Sequence, residues 1–191
     1  MVRDGVMGRI AGSNSLGEFF LELVNTHFDR EVGLRDEKVK SYVAALLTDF
    51  CEVEQLYKIR NAAGRPLDDV GEMLLESNPI YGDAPSFDRE REVRKHIGDY
   101  VLFFAGMFPE SLNRFRLRRH RLESMIDLMK AGKESYYVVS KFEFFEYAKV
   151  APLFARLARD FEACVYGLNR VKNDLAARQH PITQRAERLL M

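Results

Sequence analysis

The sequence predicts an all-α protein: a single-domain helical bundle of roughly seven helices, two of them long and heptad-patterned. Three observations carry that expectation. Apolar residues recur at alternating 3 and 4 spacing along two extended segments. The ends of these and other segments carry helix caps and stop signals, and nowhere do two alternating strands flank a tight turn. At 191 residues and 47% hydrophobic, the chain has one domain's length and enough apolar material for a core.

Taken in order, residues 1–14 read as a flexible or extended N-terminal segment of the single domain 1–191. Ser15-Leu16-Gly17-Glu18 has the capping-box form and opens a helix carrying Phe19, Phe20, Leu23, Val24 and Phe28. The first long helix is expected over Glu37–Asn61. Val39, Val43, Leu46, Phe50, Val53 and Tyr57 form its stripe, Asp36 stands at its N-cap, and Gly64 and Pro66 stop it. Pro66, Asp68 and Asp69 start a short helix with Val70, Met73 and Leu74 on its apolar side, which Asn78-Pro79 ends. Residues 78–86 hold two prolines and a glycine and read as an ordered loop.

Helices are then expected over Phe87–Phe108, Leu117–Ala131 and Glu134–Lys149. In the last, YYVVSKFEFFE has β-like composition, but Val138, Phe142 and Phe145 fit a helix stripe and the neighbours are helical. The second long helix runs over Pro152–Ala177, on a stripe of Val150, Phe154, Leu157, Phe161, Cys164, Leu168, Val171 and Leu175 that begins just before it. A short helix follows Pro181. The faint likeness of TDFCEVEQLYKIR to RDFEACVYGLNRVK occurs once and defines no repeat period.

Charge and cysteine content narrow the function. With 29 basic and 29 acidic residues, the chain lacks the cationic excess that bulk nucleic-acid or anionic-membrane binding uses. The charges are nevertheless segregated: residues 1–88 carry a net −7 and residues 89–191 a net +7. Two halves facing each other within one domain explain this most simply, and head-to-tail contact between copies is the sharper alternative. Cys51 and Cys164 suit neither a disulfide framework nor a zinc site and read as small core residues. The N-terminal stretch lacks a signal-peptide apolar region, and the longest apolar run, Tyr100–Phe108, is far short of the ~20 residues that span a bilayer. A reducing cytoplasm, without membrane attachment, is the expected compartment.

Catalytic and cofactor motifs do not emerge. AGKES at 131–135 mimics the end of a phosphate loop, but Asp127 occupies the first glycine position and Glu134 follows the lysine. No histidine has an acidic residue three positions before it, which argues against a di-iron carboxylate site. No metal or cofactor is expected. The most suggestive constellation is Glu92, His96 and Asp99, which the i, i+4, i+7 spacing places on one side of a helix. Such a strip could poise the histidine as a base. The favoured reading is structural: Asp99 accepts hydrogen bonds from an Arg or backbone groups while Glu92 and His96 are solvated. One helix supplies at most part of a metal site. His27, beside Val24 and Phe28, reads as a partly buried helix residue.

GDYVLFFAGMFPE at 98–110 combines two glycines with a dense aromatic run, each glycine permitting close helix approach. Phe103, Phe104 and Phe108 either line a pocket or form plain core, with core favoured. This Gly-Asp-Tyr…Gly-x-Phe-Pro-Glu segment, followed by Ser135-Tyr136-Tyr137, resembles an uncharacterised bacterial family of helical proteins. The resemblance covers about a third of the chain. It implies a bacterial origin and a helical fold and carries over no catalytic residue. NRFRLRRHR places Arg114, Arg116, Arg118, Arg119 and Arg121 around Phe115, a candidate surface for an anionic partner; neutralising the acidic half is the favoured role.

The functional expectation is a non-enzymatic helical interaction or scaffold protein that self-associates as a homodimer, since Leu153, Val165 and Tyr166 widen the second long helix's stripe. The alternative is a small-molecule-binding protein or enzyme with an aromatic pocket near Phe103 and Glu92, His96 and Asp99 as its polar groups. Asp99, between Gly98 and Tyr100, is expected to be a buried anchor with a basic partner.

Overall fold

Ser15 starts the first helix as its sequence dictates: its Oγ accepts from the Glu18 N–H, and Glu18 Oε2 accepts from the Ser15 N–H at 2.8 Å. The structure, a computed structural model, describes residues 15–80, 82–111 and 125–178. Helix α1 (Leu16–His27) runs on into a π-helical turn over Phe28–Val32, which Gly33 ends at φ 76°. Asp36 caps α2 (Glu37–Asp49) by accepting from the Lys38 and Val39 N–H groups.

Here the structure departs from the expected helix over Glu37–Asn61. Phe50 leaves helical geometry (φ −80°, ψ 3°) and Glu52 is extended, so a separate single turn, α3 (Val53–Leu56), follows. Thr48 Oγ1 donates to the Ala44 carbonyl and Cys51 Sγ to the Leu47 carbonyl, satisfying acceptors near the helix end from side chains. Phe50, Leu56 and Ile59 are still buried. The stripe therefore survives a bend that the spacing alone does not reveal.

Asp69 caps α4 (Val70–Glu76) and Ser86 caps α5 (Phe87–Met107). At 21 residues α5 spans about 32 Å and is the axis of the bundle. Every residue from His96 to Met107 is buried, all round the helix, as a helix enclosed by others requires. It packs chiefly on α6 (Met125–Val139) and α8 (Phe161–Ala177), with α4 alongside and the α1–α2 pair completing the enclosure. Helix α6 passes through the expected break at 131–134 and stops at Val139, well short of Lys149. A 3-10 turn over Phe145–Lys149 leads into α7 (Ala151–Arg159), which carries Pro152 in its first turn. The second expected long helix is thus two, α7 and α8, divided at Asp160 (φ −100°, ψ 20°). The Leu117 helix start and the helix after Pro181 lie outside the described residues, as does the segment 1–14.

Among the described residues the only bridge is an isolated one between Arg60 and Pro66, and no helix is long and apolar enough to cross a membrane. Acidic and basic halves do meet within the chain. Asp36 pairs with Arg156, Glu31 with Arg170, and half-buried His27 sits between Glu31 (2.5 Å) and Asp174 (3.1 Å), tying α1 to α8.

Candidate functional site

The polar centre of the molecule is Asp99, 2% exposed, midway along α5. Its Oδ1 accepts from Tyr42 of α2 at 2.5 Å and from Tyr136 of α6 at 2.7 Å, and its Oδ2 accepts from Lys95 Nζ at 2.7 Å. Three helices are thus joined at one carboxylate. Burial, with the neighbouring Asp99 charge, holds both tyrosine hydroxyls well above the usual phenol pKa, so both remain donors. Gly98 makes the geometry possible. A Cβ there would lie 2.5 Å from the Tyr136 ring, and one at Gly106 would lie 2.4 Å from Leu168 Cβ. Both glycines are points of close helix approach, as the sequence suggests.

Glu92 and His96 do not join this cluster. Glu92 is exposed and pairs with Arg89 at 2.9 Å. His96 is fully buried and its Nε2 donates to the Leu56 carbonyl of α3 at 3.1 Å, while Nδ1 has no partner among the described residues. Burial pushes its pKa down to about 4, with Asp99 opposing and Lys58 and Lys95 reinforcing the shift. His96 is a neutral tie between α5 and α3, and the expectation of a solvated imidazole is corrected. The three residues share a helix side but reach different neighbours, because α5 enters the bundle between them. Among the described residues no three His, Cys, Asp or Glu side chains are grouped to hold a metal ion.

Phe103, Phe104 and Phe108 lie in the core, 6%, 0% and 3% exposed. Phe103 packs edge-on against Phe50 and Phe104, and Phe108 against Phe103. Beside Asp99 there is room for about 50 Å³, lined by Lys58, Gln55 and Phe50 among others. That is space for a water or two, not a substrate. Arg114, Arg116, Arg118, Arg119 and Arg121 lie outside the described residues.

A different aromatic group is open to solvent. Because α6 stops at Val139, with Ser140 Oγ donating to the Tyr137 carbonyl, Phe142 and Phe145 never reach the helix stripe their spacing implies. Phe144 is extended and Phe145 takes φ 49°, a left-handed backbone unusual for a bulky residue. Phe87 at the start of α5, Phe144 and Phe145 are 67%, 67% and 89% exposed. With Phe142 and Tyr147 they border a groove of about 450 Å³, rimmed by Asp88, Glu90 and Lys141. Sequence spacing missed this corner and also the partners of Asp99. Lys95 was legible at i−4, whereas Tyr42 and Tyr136 are brought in by tertiary packing. Compared with protein-family models, with curated proteins and with solved structures, the chain matches none.

Proposed function

We propose that this chain is a non-enzymatic helical interaction protein that self-associates as a homodimer through its aromatic corner. The observation that carries the reading is the outward set Phe87, Phe144 and Phe145. At roughly 200 Å² per phenylalanine, exposures of 67%, 67% and 89% leave on the order of 400 Å² of aromatic surface in water. That matches the largest apolar patch of an ordinary monomer, concentrated in one residue type. It is also about half of what one partner contributes to a standard interface, the share an apolar centre takes inside a polar rim.

A second copy suits the corner because the corner presents both halves of a contact. Phe145 projects from it, and the adjacent groove is lined by rings that receive another ring. The rim carries both signs, Lys141 beside Asp88 and Glu90, so a twofold arrangement sets lysine against carboxylate on each side. The flank of the second long stripe supports the contact less, since Leu153 and Val165 pack against the core and Tyr166 alone of the three is exposed. The non-enzymatic part rests on the polar centre, where Asp99 has both oxygens engaged in joining helices and His96 is sealed. Free thiols at Cys51 and Cys164 suit the reducing cytoplasm of a bacterium, the origin the family resemblance implies.

Light scattering at micromolar concentration tests the proposal. A mass of twice 22.1 kDa is expected, and the paired substitution Phe144→Ser, Phe145→Ser should return the monomer with its melting transition retained. A wild-type mass of one chain overturns it.

A further inference from the structure

We propose that Arg91 and Tyr147 are the positioning pair of the aromatic corner: the Arg91 guanidinium holds the Tyr147 ring against α5 and so sets the outward arrangement of Phe144 and Phe145. The pair shapes the self-association surface proposed above, and its role rests on that reading. The guanidinium carbon of Arg91 lies 3.8 Å from the centroid of the Tyr147 ring, well inside the range of a cation–π contact.

The segment between α6 and α7 needs such a hold. No residue of the 3-10 turn Phe145–Lys149 is buried. Among the described residues, the turn-forming backbone hydrogen bonds donated by 140–150 all close on carbonyls between Tyr136 and Tyr147, within this stretch and the end of α6. Phe145 stands at φ 49°, a backbone that a bulky residue does not favour. Neither burial nor backbone bonding therefore fixes the turn to α5, yet residues of both border one groove. Tyr147 differs from its neighbours Phe144 and Phe145 in being half-buried.

Arg91 is placed to supply the hold. Its guanidinium also approaches the ring of Phe154 of α7, at 6.0 Å. Phe154 is buried and packs on the Tyr42 and Tyr136 rings at 5.5 and 5.6 Å, so the cation is seated on a ring that the core itself fixes. Asp88, one turn earlier on α5, faces the Tyr147 hydroxyl, and its charge holds that phenol above the usual range and so protonated. Tyr147 thus meets α5 twice, with its ring on Arg91 and its hydroxyl beside Asp88.

Hydrogen exchange by mass spectrometry on the full chain, with dimer dissociation constants from sedimentation, tests the pair. Tyr147→Ser and Arg91→Gln should each make the 140–150 amides exchange about tenfold faster while α5 and α8 keep wild-type protection. Each should also raise the dimer dissociation constant about tenfold. Tyr147→Phe, which keeps the ring, should stay within about threefold of wild type in both measurements. The double variant Arg91→Gln, Tyr147→Ser should be no weaker than either single one, as two halves of one contact require. Wild-type exchange in both single variants overturns the pair, and so does a loosened turn with an unchanged dissociation constant. Tyr147→Phe behaving as Tyr147→Ser overturns it too, by assigning the hold to the hydroxyl. If the wild type runs as one chain, the self-association reading falls and exchange alone decides: faster exchange in both variants supports the hold on the turn, and unchanged exchange overturns it.

Discussion

Phe87 and Phe103 belong to one helix, yet they live in opposite environments. Phe103 is 6% exposed with its ring 5.2 Å from that of Phe50, whereas Phe87 is 67% exposed beside Phe144 and Phe145. Residue type and local spacing are alike in the two regions, and the difference arises from where neighbouring elements end. Around Phe103 the helices α2, α6 and α8 pack against α5, and Asp99 ties two of them to it. Around Phe87 the enclosing helix α6 has already stopped at Val139, and the turn that follows faces its aromatic residues outward. Aromatic density alone therefore does not separate core from contact surface; helix termini do. If this account is right, substitutions in the inner region should cost stability and leave association alone, and those in the outer region should do the reverse.

The largest effect is expected at Asp99. Asp99→Ala removes the shared acceptor of two tyrosine hydroxyls and the counter-charge of Lys95, leaving Tyr136, fully buried, with an unsatisfied donor. A loss of about 3 to 5 kcal/mol is expected in urea unfolding. A change no larger than that of an exposed site would break the picture of Asp99 as the tie between α2, α5 and α6.

Acid should expose the second tie. His96 is buried and neutral with its pKa lowered from 6.5 to about 4. Between those values the unfolded chain holds the proton and the folded chain does not. The stability contributed by neutral His96 is therefore fully present above pH 6.5 and is lost as the pH falls through 6.5 towards 4, by about 3 kcal/mol in total. His96→Gln, which keeps a donor for the Leu56 carbonyl, should flatten that part of the profile relative to wild type. Parallel profiles for the two proteins between pH 6.5 and 4 would show that burial of His96 is not what opposes its protonation.

Much of this inner region was legible. Ser15, Asp36 and Asp69 announced helix starts through capping chemistry, which is local and short-ranged. Asp99 was legible as an anchor because a carboxylate amid Gly98, Tyr100 and Val101 must be paired. The breaks at Phe50 and Asp160 were not, because an apolar stripe keeps its spacing through a bend of one turn. The outer corner was hidden for a related reason: Phe142 and Phe145 share a helix phase with Val138, and nothing in the spacing reports that the helix has ended. Glu92 fell on the same side of α5 as Asp99 but lies where the helix is still outside the bundle, a fact of tertiary packing.

Gly98→Ala approaches the inner cluster through packing, with its charges intact. The added Cβ meets Tyr136 at 2.5 Å and must displace a ring whose hydroxyl is fixed on Asp99. A loss of about 2 kcal/mol is expected, smaller than that of Asp99→Ala because the carboxylate keeps Tyr42 and Lys95. Full additivity with Asp99→Ala in the double variant would mean the ring and the carboxylate act independently, against the single-cluster account.

The smallest effect on stability, and the sharpest test of the comparison, is at Phe145. Its φ of 49° places a bulky side chain in the left-handed region, and its ring is 89% exposed. A left-handed backbone costs about 1 to 2 kcal/mol for a residue with a Cβ, and glycine escapes that cost. Against this, glycine loses more chain entropy on folding, by roughly 0.5 to 1 kcal/mol relative to alanine. With little burial to forfeit, Phe145→Gly should leave the monomer as stable as wild type or more stable by up to about 1 kcal/mol. The same change removes the most exposed ring of the corner, so the dimer should weaken. Unfolding midpoints measured at low concentration, together with mass by light scattering at high concentration, read the two effects separately. A stabilised monomer that no longer dimerises is what an outward-facing contact residue predicts. A destabilised chain would mean that Phe145 packs as Phe103 does, and the contrast between the two regions would fail.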